Sequence, residues 1–323
     1  MKMIRDRRYF QLLFGMLIIT GIPYGCASSH GQLQMPNYKN LMKQQLETVP
    51  DDATKSKELT EMTSDDHERL GDVSVSRGNL QMAFVQYEKC LKLNQENTRV
   101  KYKKGMVFVL GGLNDDAVRE FRAVLKAKPE NSLAHEGLGL AFFQMKRYGD
   151  ASRHFQKAIE LDSALWKAHS ILGVIYDYQA QHDKATSEHR LAINLRRSDG
   201  LLYNNLGVSH LLAGHYEKAI AAFREGIKRE PSCAKLYNNL GLALAKLGRY
   251  RKALAVFMEP GDEAQAYNNL GCVYLQQGLR EEAIRSFEKA LEIKPTFYSR
   301  ASQNLKRAKA GRVYEIFSIE SDN

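Results

Sequence analysis

Six asparagines stand in three adjacent pairs, Asn204-Asn205, Asn238-Asn239 and Asn268-Asn269, each inside the five-residue stretch YNNLG. An amide side chain carries both donor and acceptor, so a row of them can grip the backbone of an extended peptide without demanding its sequence. The same amides can instead hydrogen-bond within the protein itself, and both readings are open. No other residues are spaced for chemistry. The chain has no GxxxxGK(S/T) phosphate cradle, no HExxH metal pair and no GxSxG nucleophile elbow. Gly137-Leu138-Gly139 imitates a dinucleotide loop but falls in a helical stretch with no strand before it.

The cysteines, Cys26, Cys90, Cys233 and Cys272, lie far apart without CxxC spacing, so neither a zinc site nor a disulfide framework is expected. Cys90, Cys233 and Cys272 read as buried small hydrophobes. The nine histidines are scattered. The expectation is therefore no catalytic residue, no metal, no cofactor and no small-molecule substrate: a binding protein and not an enzyme.

The elements that would carry the asparagines follow from the spacing of YNNLG, which begins at Tyr203, Tyr237 and Tyr267, first 34 residues apart and then 30. Extended along the chain, that period gives units starting at Ser64, Thr98, Ser132, Trp166, Gly200, Ala234 and Ala264. The eighth position is always glycine (Gly71, Gly105, Gly139, Gly173, Gly207, Gly241, Gly271) and the twentieth always alanine, from Ala83 to Ala283. Each residue type makes up less than about a tenth of ordinary proteins, so two such columns are not chance. Position 24 is aromatic in six units: Tyr87, Phe121, Phe155, Phe223, Phe257 and Phe287. Position 15 is glycine in five, where a helix C-cap wants a left-handed residue, and Pro129, Pro231 and Pro295 close second helices.

These columns resemble the tetratricopeptide repeat over roughly residues 64–297. The resemblance implies an all-α, right-handed solenoid of about seven helix pairs with a concave wall, closed by a capping helix over 298–312 and followed by a tail over 313–323. Units are expected at 64–97, 98–131, 132–165, 166–199, 200–233, 234–263 and 264–297, the sixth shortened because Pro260 and Gly261 halt its second helix about one turn early. His189 breaks the aromatic column and reads as a packing residue at the loosest joint. By helical spacing, positions 4, 7, 8 and 11 face the partner helix, which leaves positions 5 and 6, the asparagines of units five to seven, on the concave wall.

Ahead of the repeats, the basic MKMIRDRR precedes an apolar run of 16 residues, about 24 Å as a helix and short of a roughly 30 Å hydrocarbon core. The charge, length and position read as a secretory signal over residues 1–25. The junction Gly25-Cys26-Ala27-Ser28-Ser29 resembles a bacterial lipoprotein signal, which implies acylation of Cys26 and, with Ala27 after it, sorting to the periplasmic face of the outer membrane. Pro23 and Tyr24 depart from that pattern, and an ordinary signal peptide or uncut anchor is the competing reading. Residues 26–63 are a polar tether with a short helix expected near Leu41–Leu46. The formal charge is +10, of which the signal carries +3. The rest forms no basic stripe interleaved with aromatics, so no nucleic-acid partner is expected.

Among secreted repeat proteins the chain resembles the TadD-type lipoproteins of the tight-adherence (Flp) pilus system. The likeness rests on the lipoprotein-like start and on GDEAQAYNNLGCVYLQQGLREEAIRSFEKALEIKP, where a truncated unit leads into YNNLG. It implies a scaffold that binds a pilus or secretion component and helps assemble the outer-membrane secretin. The alternatives are another repeat lipoprotein, such as a type IV pilus pilotin or an adaptor for envelope proteases or outer-membrane assembly, and the regulatory partner of a separate enzyme.

Overall fold

The structure, a computed structural model, describes residues 62–259, 261–295 and 299–311. The expected signal, Cys26, nearly all of the tether, Pro260 and the tail lie outside them. Among the described residues all regular structure is helical, in fifteen helices. Fourteen form seven pairs: α1 (Ser64–Ser76) with α2 (Leu80–Leu93), α3 (Thr98–Leu110) with α4 (Asn114–Ala127), α5 (Ser132–Gln144) with α6 (Tyr148–Leu161), α7 (Trp166–Tyr178) with α8 (His182–Leu195), α9 (Gly200–Leu212) with α10 (Tyr216–Arg229), α11 (Ala234–Lys246) with α12 (Tyr250–Met258), and α13 (Glu263–Gln276) with α14 (Arg280–Ile293). The fifteenth, α15 (Ser299–Lys309), stands where the capping helix is expected. The all-α expectation therefore holds. No described helix is long and apolar enough to cross a membrane.

Local signals set the helix ends. Side chains of Asn97, Asn131, Asp199 and Asp262 accept hydrogen bonds from the first-turn backbone N–H groups of α3, α5, α9 and α13, and Thr63 forms a capping box with Asp66 at α1. First helices close on a left-handed residue at position 15, with φ from 72° to 80° at the five glycines. Lys146 (φ 59°) and Ala180 (φ 58°) adopt the same conformation without glycine's freedom. Second helices α4, α10 and α14 give way to Lys128, Glu230 and Lys294 just before prolines, and α2, α6 and α8 leave the helix in nearly the same conformation at Asn94, Asp162 and Arg196 without one.

Inside each pair the glycine column lies against the position-24 ring. A Cβ on Gly207 would stand 2.4 Å from Phe223 Cε1, and one on Gly241 2.4 Å from Phe257 Cε1. Only a bare backbone lets the axes come that close, and the rings fill the space so completely that Phe121, Phe155, Phe223 and Phe287 are fully buried.

The described helices fall into two compact units, divided between Ala168 and His169 inside α7. In the N-terminal unit α2 packs on α3 and α4 on α5. In the C-terminal unit α8 packs on α9, α10 on α11, α12 on α13 and α14 on α15. Its core joins Phe223, Leu236, Leu240, Phe257 and Val273, and Ala308 of α15 closes over Cys272, Leu275 and Phe287. Cys90 and Cys272 are buried free thiols, and burial pushes the Cys272 thiol up to about 12. Cys233 is buried as well. The shortened pair is evident: α12 has 9 residues where α10 has 14, and Gly261 follows with φ 95°.

Candidate functional site

The six candidate asparagines sit where first helices of consecutive pairs meet. Within the C-terminal unit α9 touches α11, α11 touches α13 and α13 touches α15. Across each contact, the amide at position 6 donates to the amide at position 5 of the pair before. Asn239 Nδ2 donates to Asn204 Oδ1 at 2.7 Å, and Asn269 Nδ2 to Asn238 Oδ1 at 3.2 Å. At one end Asn205 Nδ2 donates to Ser170 Oγ at 3.2 Å; at the other Asn304 of α15 donates to Asn268 Oδ1 at 3.0 Å. The result is four rungs joining successive helices. Asn204, Asn238, Asn239, Asn268 and Asn269 are all buried, and Asn205 alone is half-buried.

The sequence expectation placed these amides on an open wall, and the structure differs for a geometric reason. Positions 5 and 6 point along the array, toward the neighbouring first helix, because pairs stack closely enough to cover them. Sequence separation across two of the rungs is 35 residues, one period plus one, and falls to 31 across the shortened pair. Deleting about one turn of α12 therefore leaves the register of the first helices intact. A buried amide pair of this kind contributes about 1 kcal/mol net, and losing one member costs more, because the other is left desolvated.

The N-terminal unit uses charges at the same two positions. Glu68 of α1, buried at position 5, meets Lys103 Nζ of α3 at 2.6 Å and Arg99 at 2.6 Å, and Lys103 also reaches Asp72 at 2.6 Å. Burial opposes the Glu68 charge, but hydrogen bonds from Lys103 and Arg99 hold its carboxyl below the usual range. In α5, Glu136 is buried at position 5, and burial raises its pKa against the pull of Lys167. Gly137 follows at position 6 with no side chain, over the Phe121 ring; it lies in a helix, as the sequence implies, and not in a phosphate loop.

A second polar cluster centres on Asp177, which sequence reasoning passed over. It occupies position 12 of α7, where Val109, Leu211, Ala245 and Leu275 stand in other units. Its signal was this single polar residue in an apolar column. The carboxylate accepts from Ser209 Oγ, lies 2.8 Å from His182 Nδ1 and 3.6 Å from His189 Nε2. Burial works against its charge, yet these neighbours hold its pKa below the ordinary carboxylate value. His189 fills the position-24 slot over Gly173, as packing reasoning expects, but both ring nitrogens are buried without a hydrogen-bond partner. The order is Ser–Asp–His, with the carboxylate between the other two, so no imidazole faces the hydroxyl, and a carboxylate whose pKa is lowered is a weak base for activating a nucleophile.

The remaining described histidines have neighbours within their own repeats. His135 stacks on His154 with Nδ1 atoms 3.1 Å apart, and His169 Nδ1 lies 2.6 Å from Glu188. Among the described residues no group of three or more His, Cys, Asp or Glu could hold a metal ion. Flanking the rungs, positions 2 and 13 of the first helices are half-exposed: Leu201 and Leu212 on α9, Lys235 and Lys246 on α11, Gln265 and Gln276 on α13. Burial lowers the pKa of both lysines.

Two family models described as tetratricopeptide repeat match the chain, one over residues 102–165 and 204–259, the other over 264–297. No curated protein matches the sequence. Among solved structures, a tetratricopeptide repeat protein from Parabacteroides merdae is similar at 16% identity and a TM-score of 0.55, covering 76% of this chain and 98% of its own. MamA is similar at 26% identity with a TM-score of 0.44, covering 51% of this chain and 97% of its own. YrrB, titled a TPR protein with an unusual peptide-binding site, is similar at 21% identity and a TM-score of 0.45, covering 59% and 97%. The matched segments fall within α3 to α6 and α9 to α14, and over those segments the chain carries tetratricopeptide repeats.

Proposed function

We propose that this protein is a lipid-anchored scaffold of the bacterial envelope that binds another polypeptide along its first helices and serves assembly of a Flp-type pilus or its secretin. The observation that carries the binding reading is the rung ladder. It locks α9, α11 and α13 in register, so positions 2 and 13 recur as two evenly spaced rows of half-exposed side chains. Regular rows on a rigid support suit an extended segment, whose side chains repeat as regularly. Half-buried Lys246 has given up part of its hydration, and a carboxylate on the partner would restore what burial removed. Of the asparagines, Asn205 is the one placed to contribute an amide to such a partner.

The envelope location rests on the signal-like start and Cys26, and the pilus role on the resemblance of the C-terminal units to TadD-type lipoproteins. Two experiments test these in turn. Metabolic labelling with a fatty acid should mark the protein and fail with Cys26→Ser; equal labelling of the variant would remove the anchor. Photo-crosslinking from positions 212 and 276 in living cells should trap a secretin or pilus component. Trapping an envelope protease or an outer-membrane insertion factor instead would transfer the scaffold to one of those systems.

A further inference from the structure

Position 7 of a first helix stands between its own partner and the second helix of the pair before, as Lys104 of α3 shows by reaching both Glu88 of α2 and Glu120 of α4, and position 10 lies on the same stripe. In α3 and α5, Val107, Leu138 and Ala141 are buried this way, as are Leu240, Ala243 and Val273 in α11 and α13. The equivalents in α1 are Leu70 and Val73, and they are 41% and 42% exposed. Met62, in the extended segment just ahead of the helix, is 43% exposed. The first pair thus presents the face that is covered in those other units, with no described helix over it.

We propose that residues 38–46 of the same chain cover this face, docking as a helix where the second helix of a preceding pair would lie. Tyr38, Leu41, Met42 and Leu46 follow i, i+3, i+4, i+8 spacing and make one apolar stripe. Asn37 is an N-cap residue type immediately before it, and Pro50 prevents extension beyond. The only charges in the segment are Lys39 and Lys43, and the exposed Asp65 in the first turn of α1 is opposite in sign. The link from 47 to 61 can reach roughly 50 Å, more than twice the roughly 20 Å length of α1, so an antiparallel return is well within range. The tether would then be anchored at its distal half, leaving a shorter free span after Cys26. This proposal does not depend on the partner or on the pilus reading.

The test uses the full chain in detergent micelles, with a benzophenone amino acid at position 70 or, separately, 73, as an equal mixture of isotopically heavy and light protein. Crosslinks from within one copy to the peptide containing residues 38–46 support the proposal. Heavy-to-light crosslinks would replace it with a second copy of the chain, and crosslinks elsewhere or none would overturn it. Independently, Leu41→Asp with Leu46→Asp changes no residue of the described helices. Amide hydrogen exchange of α1 should rise about tenfold while that of α11 stays constant; unchanged protection of α1 overturns the docking.

Discussion

Asn239 and Asn204 show how one side chain can serve either surface or joint, with only its neighbours to decide which. Their hydrogen bond is buried, so Asn239→Leu should lower stability by about 1–3 kcal/mol in urea unfolding, because Asn204 Oδ1 loses its donor. Adding Asn204→Leu should recover part of that loss; a double variant that is simply additive would mean the two amides do not interact. At position 24, His189→Phe restores the ring found in the other units but takes Nε2 away from the buried Asp177 carboxylate, so urea unfolding should show a loss of about 1 kcal/mol despite the better fit. Acid acts on two further histidines. Burial holds His154 and His210 at about 4, below the ordinary 6.5. Between those values the unfolded chain binds protons that the folded chain refuses, so stability falls as pH drops from about 6.5 to 4. Replacing both histidines by glutamine should flatten the melting temperature across that window. The chemistry of these residues was legible in the sequence; their direction was not, because a helical wheel drawn for one pair contains no information about how tightly the next pair is stacked.

At the scale of the element, the turn between first and second helices follows from a single dihedral. Lys146 and Ala180 take the left-handed conformation that other units give to glycine. That conformation costs an ordinary residue about 1–2 kcal/mol, offset partly by glycine's greater freedom when unfolded. Lys146→Gly and Ala180→Gly should each stabilise by about 0.5–1 kcal/mol in equilibrium unfolding; destabilisation would show that tertiary contacts of these side chains dominate. The reverse change is severe at position 8. Gly207→Ala would press a methyl group onto the Phe223 ring and should cost about 1–3 kcal/mol by the same measurement. These features were readable beforehand, since glycine, proline and capping residues act through local geometry. The end of α12 was readable too, from Gly261 and the missing residues.

For the whole molecule, the period alone announced seven pairs, because repeated units must bury the same positions in the same way. What the period leaves out is the means of joining. The N-terminal unit holds Glu68 between Lys103 and Arg99, whereas α9, α11, α13 and α15 of the C-terminal unit are joined through amides. Charge pairs weaken with salt and neutral amides do not. Hydrogen exchange in about 1 M sodium chloride should therefore loosen α1 and α3 more than α11 and α13. Equal loosening would mean Glu68 contributes little to its joint.

The ladder also has a polarity. In every rung the acceptor belongs to the earlier pair and the donor to the later one, separated by 31 to 36 residues. A chain emerging amino end first from a ribosome or an export channel would carry one waiting acceptor oxygen at its growing tip, first the Ser170 hydroxyl and then an amide Oδ1. Each newly arrived helix would satisfy the last such oxygen and expose another, until Asn304 ends the series.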